Sequence, residues 1–143
     1  LGGGFYPISA VLSSKEILGV FHPGDHGSTF GGNPLAAAVA VAALNVLVKG
    51  KLAKRSKELG DFFMKQLRAI KSPHITLVRG RGLWIGLVLD TKARPYCEAL
   101  MKRGVLCKET HENVIRFAPP LVIKKAEVQW VCKQIAAVMK ELS

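Results

Sequence analysis

The loop that precedes the longest apolar segment of the chain has the sequence His26-Gly27-Ser28-Thr29-Phe30-Gly31-Gly32-Asn33-Pro34. Asn33 is a favourable N-cap and Pro34 suits the first helical position, so the loop ends at a helix N-terminus. Free backbone N–H groups, the helix dipole and the hydroxyls of Ser28 and Thr29 can converge there on one phosphate or carboxylate. The pattern is equally compatible with hydroxyls that satisfy turn backbone and with glycines that supply positive φ angles.

A single cation interrupts the apolar run Val114-Ile115-Arg116-Phe117-Ala118. If this run is a buried strand, the guanidinium needs a planar anionic partner to offset its desolvation. That partner is either the carboxylate of a ligand or an internal glutamate such as Glu109. The sequence therefore predicts a buried, paired Arg116 and leaves the identity of its partner open.

Two further groups have weaker chemical signals. His22 and His26 have a metal-ligand spacing, but Pro23 and Gly24 disfavour a helix between them and no third ligand is near, so no metal site is predicted. Arg79 and Arg81 flank a glycine in a predicted hairpin turn, where solvated charges are the favoured interpretation. Neither group changes the prediction that the glycine-rich loop and Arg116 carry the chemistry.

Hydrophobic periodicity indicates the elements that position these residues. Strands are predicted at 5–12, 75–78, 83–89, 105–108 and 114–117, and helical segments at 15–21, 35–48, 52–70, 95–103 and 125–142. From about residue 73 the chain alternates strands and helices, which is typical of a small α/β domain. The first part has the pattern of the closing strand and helix of something larger.

Composition excludes several classes of protein. The formal net charge of +11 permits a nucleic-acid partner. However, the basic residues are interleaved with acidic ones and form no stripe rich in aromatic residues, so nucleic-acid binding is only a weak alternative function. The alanine-rich segment 35–48 is too short for a membrane span. Three widely spaced cysteines argue against a disulfide framework or a zinc site. The glycine-rich start, without an initiator Met, is expected to be a cut inside a longer chain.

Five blocks occur in an order that resembles the pyridoxal-phosphate aminotransferases of subgroup III, and within them the ornithine aminotransferases. The most specific is the loop block at 26–35; the others are Gly2-Gly3-Gly4, Tyr6-Pro7-Ile8-Ser9-Ala10-Val11, Arg79-Gly80-Arg81-Gly82-Leu83 and Ile115-Arg116-Phe117-Ala118-Pro119-Pro120-Leu121. The resemblance covers the whole chain. It implies the C-terminal part of a fold-type I transferase, with an α/β fold.

The resemblance also implies roles for particular residues. Ser28 and Thr29 would bind the phosphate of pyridoxal 5'-phosphate across the interface of a homodimer, and Arg116 would bind a substrate carboxylate. The family's Schiff-base lysine stands upstream of the glycine run, and none of Lys15, Lys49 and Lys51 matches its position. No catalytic residue is therefore assigned within the chain.

The implied function is transfer of the δ-amino group of ornithine to 2-oxoglutarate, which gives glutamate semialdehyde and glutamate. Alternatives are an aminotransferase for acetylornithine or another ω-amino compound, and an inactive truncated interaction module. The expected organisation is the end of a large cofactor-binding domain at 1–48, a linking helix at 49–72 and a small domain at 73–143. A cytoplasmic location is expected, or the mitochondrial matrix in a eukaryote, without nucleic-acid or membrane partners.

Overall fold

The computed structural model describes residues 1–143, which divide into two compact units, Leu1–Lys51 and Leu52–Ser143. The first unit contains the short helix α1, Lys15–Leu18, and the long helix α2, Pro34–Lys49. Asn33 caps α2 through its side-chain oxygen, which accepts a hydrogen bond of 2.8 Å from the N–H of Ala36. The predicted cap and both helical segments of this unit are confirmed.

The predicted strand at 5–12 is wrong. The segment is irregular after a turn in which the carbonyl of Gly2 accepts from the N–H groups of Phe5 and Tyr6. A strand needs hydrogen-bonding neighbours, and no other strand lies within the first unit. The β-forming side chains of the segment therefore have no ladder to join.

The second unit contains three helices and four strands. They are α3, Leu52–Arg68; β1, Ile75–Arg81; β2, Trp84–Leu89; α4, Arg94–Lys102; β3, Lys108–Thr110; β4, Val114–Phe117; and α5, Lys125–Glu141. The strands form one antiparallel sheet in the order β1-β2-β4-β3. Helices packed against a sheet confirm the predicted mixed α/β fold.

One face of the sheet carries the core. Ile85, Leu87, Ile115 and Phe117 are buried with residues from all three helices. The helical contribution includes the set Phe63, Met64, Leu67, Leu100, Val128, Ile135 and Met139. Because α3 supplies part of this core, the segment expected as a linking helix at 49–72 packs for most of its length within the second unit.

Three strands differ in extent from the prediction, β2 by one residue at its start and β1 and β3 by more. β3 covers Lys108–Thr110 instead of 105–108, since Val105 is drawn into the core while β3 pairs with β4 only from Lys108 onward. β1 runs to Arg81, so the Arg79-Gly80-Arg81 stretch lies in a strand and not in a turn. The turn consists of Gly82, which has a φ of +56°, and Leu83. No single helix is long and apolar enough to cross a membrane; α2 and α3 reach that length and composition only when taken together.

Candidate functional site

Short-range hydrogen bonds hold the loop at residues 22–33 of the first unit. The N–H of His22 donates to Asp25 Oδ2 at 2.7 Å, and the N–H of Gly31 donates to Ser28 Oγ at 2.9 Å. The side-chain amide of Asn33 donates to the carbonyl of Phe30 at 2.8 Å. The loop is therefore folded on itself up to the N-cap of α2.

The two hydroxyls of this loop differ in their partners. Ser28 Oγ accepts the hydrogen bond from Gly31 and keeps its own O–H as a donor, while the exposed Thr29 makes no hydrogen bond to the chain. Ser28 thus stabilises the backbone of the turn, which is the interpretation of the sequence that did not involve an anion. Two hydroxyl protons remain available to an anion, so the residues present fit a phosphate group as donors.

The paired glycines serve two separate needs. A Cβ at Gly31 would lie 2.9 Å from the Cβ of Ser28, which is closer than real Cβ atoms approach. Gly32 has a φ of +70°, whereas Gly31 does not have a positive φ. The alternative in which both glycines supply positive φ therefore does not hold for Gly31, where the missing Cβ lets the Ser28 side chain approach closely.

The histidines of the loop form no metal cluster. His22 Nδ1 lies 3.5 Å from Asp25 Oδ2, and both side chains are exposed. No group of three or more His, Cys, Asp or Glu side chains is placed to hold a metal ion. We therefore assign no metal to this loop.

Arg116 lies in the middle of β4 in the second unit, where its neighbours Ile115 and Phe117 are buried and Arg116 itself is exposed. The predicted burial of Arg116 is wrong. Successive side chains of a strand point to opposite faces, so a residue between two core positions faces away from the core. Arg116 forms no salt bridge within the chain.

Glu109, the internal partner considered for Arg116, is occupied elsewhere. Its Oε1 accepts from Arg94 Nη1 at 2.8 Å. The pKa of Glu109 is held below its usual value by a hydrogen bond from its own backbone N–H and then by Arg94. Since Glu109 pairs with Ile115 in the ladder, it is displaced by one register position from Arg116. The internal salt-bridge interpretation is therefore wrong.

Arg116 belongs to a row of residues that crosses the sheet. In register, Arg79 of β1 pairs with Gly86 of β2, Gly86 pairs with Arg116 of β4, and Arg116 pairs with Lys108 of β3. Lys108 Nζ lies 3.6 Å from Glu109, whereas Arg79 and Arg116 have no carboxylate partner. Three cations and a glycine thus form one line on the sheet.

A groove of about 330 Å³ surrounds the middle of this row. It is lined by Arg79, Gly80, Trp84, Ile85, Gly86, Thr110, His111, Val114 and Arg116. No acidic side chain lines it, and Trp84 is 68% exposed. The groove therefore combines two guanidinium groups with an aromatic surface, which suits a small organic anion.

The sequence interpretation missed Arg79 by placing it in the turn. A two-residue turn at Gly82 and Leu83 pairs Arg81 with Trp84 and Arg79 with Gly86. Counting outward from that turn places Arg79 opposite Gly86. The position of Gly82 in the sequence was therefore the signal that could have placed Arg79 in the strand.

Comparisons with known proteins agree on one family. The sequence model that describes the family of class-III aminotransferases matches residues 1–139 of this chain. The chain is 60% identical to ornithine aminotransferase from Geobacillus sp. (strain WCH70), over 96% of this chain and 35% of that protein. It is 59% identical to ornithine aminotransferase from Bacillus subtilis (strain 168), over 98% of this chain and 35% of that protein. The chain therefore spans about a third of the length of these curated relatives.

Solved structures give the same result. Acetylornithine aminotransferase from Elizabethkingia anophelis is 44% identical with a TM-score of 0.91, covering 98% of this chain and 37% of that one. Ornithine aminotransferase from Plasmodium yoelii is 37% identical with a TM-score of 0.94, covering 99% of this chain and 39% of that one. The fold of both units is thus found in part of a larger aminotransferase chain.

Proposed function

Because the chain belongs to the class-III aminotransferases, we propose that it is the C-terminal portion of an ornithine aminotransferase. The intact enzyme would transfer the δ-amino group of ornithine to 2-oxoglutarate, with glutamate semialdehyde and glutamate as products. Identities near 60% to ornithine aminotransferases support this substrate. The 44% identity of the Elizabethkingia acetylornithine enzyme makes acetylornithine the nearest alternative.

The observation that carries the proposal is the state of Arg116. Its guanidinium is exposed on the sheet, without an acidic partner, beside a groove of small-ligand size. A guanidinium presents two parallel N–H donors that match a carboxylate. We propose that Arg116 binds the carboxylate next to the reacting carbon of 2-oxoglutarate and glutamate. The two prolines in the segment Phe117-Ala118-Pro119-Pro120 stiffen the chain that follows Arg116.

The family uses pyridoxal phosphate, which serves as an electron sink at the reacting carbon when it is bound. In our proposal the hydroxyls of Ser28 and Thr29 donate to the phosphate of a cofactor held mainly by the other subunit of a homodimer. The free O–H groups of both side chains support this role.

We further propose a cytoplasmic location for the enzyme.

Single-turnover kinetics of full-length enzyme with Arg116→Lys and Arg116→Ala test the proposal. Lysine keeps the charge but not the paired donors, so both variants should impair the glutamate half-reaction. The expected loss in specificity constant is about 1.5–3 kcal/mol, which is roughly ten-fold to 150-fold. Ornithine presents its distal amine to the cofactor, which leaves its α-carboxylate several bonds from Arg116. The ornithine half-reaction should therefore lose less.

Arg81→Lys is the matched control, since Arg81 lies in β1 and does not line the groove. Its half-reactions should equal those of the parent enzyme. Equal losses of both half-reactions in the Arg116 variants would indicate a structural role, and an unaffected glutamate half-reaction would remove Arg116 from the site.

A further inference from the structure

The side chain of Arg79 lies over the glycine that separates it from Arg116. If Gly86 carried a Cβ, that atom would lie 3.8 Å from Arg79 Cγ and 3.9 Å from Arg79 Nε. The Arg79 side chain therefore leans over Gly86 of β2 instead of extending away from the sheet edge. A Cβ at position 86 would be in van der Waals contact with Arg79, and a larger side chain there would compete with it for space.

Two guanidinium groups thus face a common gap. Arg79 and Arg116 are both paired in register with Gly86, so their Cα atoms are separated by two strand spacings, roughly 9.6 Å. Both side chains are exposed, and neither forms a salt bridge. Exposed like charges at such a separation repel only weakly in water, and an anion that lies between them is attracted by both. The gap therefore suits a ligand with negative charge.

We propose that Arg79 is a second guanidinium for the carboxylate that Arg116 binds, with Gly86 as the positioning residue that leaves room for it. A carboxylate has about four lone-pair sites and can accept from two guanidinium groups at once. Because Arg79 leans over Gly86 in the direction of β4, a shared carboxylate is favoured over separate binding of the two ends of a diacid, which would need the cations further apart. The inference rests on the proposed function, because Arg116 is assigned its carboxylate there.

Equilibrium binding to the full-length holoenzyme tests this role without depending on turnover. The probes are glutarate, a diacid without a reactive carbonyl, and pentanoate, a monocarboxylate of equal length, both titrated by calorimetry. Arg79→Met keeps most of the side-chain volume and removes the charge-assisted hydrogen bonds. This substitution should lower the affinity for both probes to a similar extent, by about ten-fold to a hundred-fold.

Arg81→Met is the matched control, since it removes the same charge from the same strand outside the groove. Its affinities should equal those of the parent protein. Gly86→Ala adds a methyl group 3.2 Å from Val114 Cγ1 and in contact with Arg79, so it should weaken both probes while Arg79 is retained.

Three outcomes would overturn the inference: unchanged affinities in Arg79→Met, a loss confined to glutarate, or an equal loss in Arg81→Met. A loss confined to glutarate would assign Arg79 to the distal carboxylate, and an equal loss in the control would indicate a general effect of charge. Failure of the proposed function is distinguishable, because the parent holoenzyme would then neither transaminate 2-oxoglutarate nor bind glutarate.

Discussion

Ser28 and Thr29 are adjacent in sequence but differ in what each is free to do. Ser28 Oγ already accepts from the N–H of Gly31, so its position is fixed by the turn. Thr29 has no partner in the chain, and its hydroxyl can both donate and accept. Substitution of Ser28 therefore disturbs the loop as well as any ligand, whereas substitution of Thr29 isolates the ligand contact.

We expect Thr29→Ala in the full-length enzyme to weaken cofactor binding without loss of fold. The variant removes one or two hydrogen bonds to a dianionic phosphate, each worth on the order of 1.5–3 kcal/mol for a charged partner. Dialysis against cofactor-free buffer, followed by absorption spectroscopy of the retained cofactor, measures the effect.

Thr29→Ser is the control for this prediction, because it keeps the hydroxyl and should retain the cofactor as the parent enzyme does. Unchanged retention in Thr29→Ala would contradict the assigned contact. A holoenzyme that sediments as a monomer would contradict the contribution of this loop across a subunit interface.

The sequence pattern singled out Arg116 for a partly wrong reason. A cation in an apolar run was interpreted as buried, although the alternation of a strand places residue 116 on the face opposite to Ile115 and Phe117. The pattern contains this information, but a short apolar run does not reveal whether one or both faces of its strand are covered. The packing of all three helices on the face of the sheet that carries Ile115 and Phe117 leaves the opposite face, with Arg116, exposed.

At the scale of elements, α3 and the hairpin of β1 and β2 meet through two glycines. A Cβ at Gly60 would lie 2.0 Å from the carbonyl oxygen of Gly82, and a Cβ at Gly82 would lie 2.5 Å from Ser56 Oγ. Ser56 Oγ also accepts from the N–H of Leu83 at 3.1 Å. The helix therefore approaches the turn at backbone contact and fixes the hairpin that carries Arg79.

Gly60→Ala should destabilise the chain although alanine is the better helix former. Helix propensity favours alanine by about 1 kcal/mol, while the clash with Gly82 forces backbone shifts that cost about 1–3 kcal/mol or more. Urea denaturation followed by circular dichroism gives the change in the free energy of unfolding. Glu58→Ala, at an exposed position of α3, should change it by no more than about 0.5 kcal/mol. Greater stability of Gly60→Ala would contradict the described contact.

Helices were easier to predict than strands in this chain. The cap at Asn33 and the apolar faces of α3 and α5 are local signals, and the four longer helices begin and end within two residues of the predicted bounds, whereas the short α1 ends three residues early. Strands depend on partners that are distant in sequence. The segment 5–12 has the composition of a strand without a neighbour to pair with, and β3 begins where β4 can pair with it.

On the scale of the whole molecule, the two units differ in how much apolar surface they cover. Of the 21 large hydrophobic residues that are exposed, 14 lie within residues 1–51. α1 has no buried residue, and α2 buries only Ala36 and Ala40. The second unit has a core with contributions from all of its helices.

We therefore expect the 143-residue chain to be cleaved first in the irregular segment at 19–33. Limited proteolysis with a protease of broad specificity, followed by mass spectrometry, should first give a fragment that begins between residues 20 and 34. Since α2 buries only Ala36 and Ala40, further digestion should remove it and leave a persistent fragment that begins near residue 52. Backbone in loops with few buried contacts opens most readily to a protease. First cleavages between 52 and 143, with residues 1–51 left intact, would contradict this expected difference in stability.

The antiparallel sheet of the second unit also bears on how such a protein can change over generations. Its hydrogen-bonded ladder sets the spacing of Arg79, Gly86 and Arg116, while Ile85, Leu87 and Ile115 occupy the alternate positions that face the helices. Conservative substitutions among those alternate positions alter packing and leave the ladder in place. Selection can therefore act on thermal tolerance and on ligand preference almost independently, although the residues concerned are close neighbours in three short strands of one sheet.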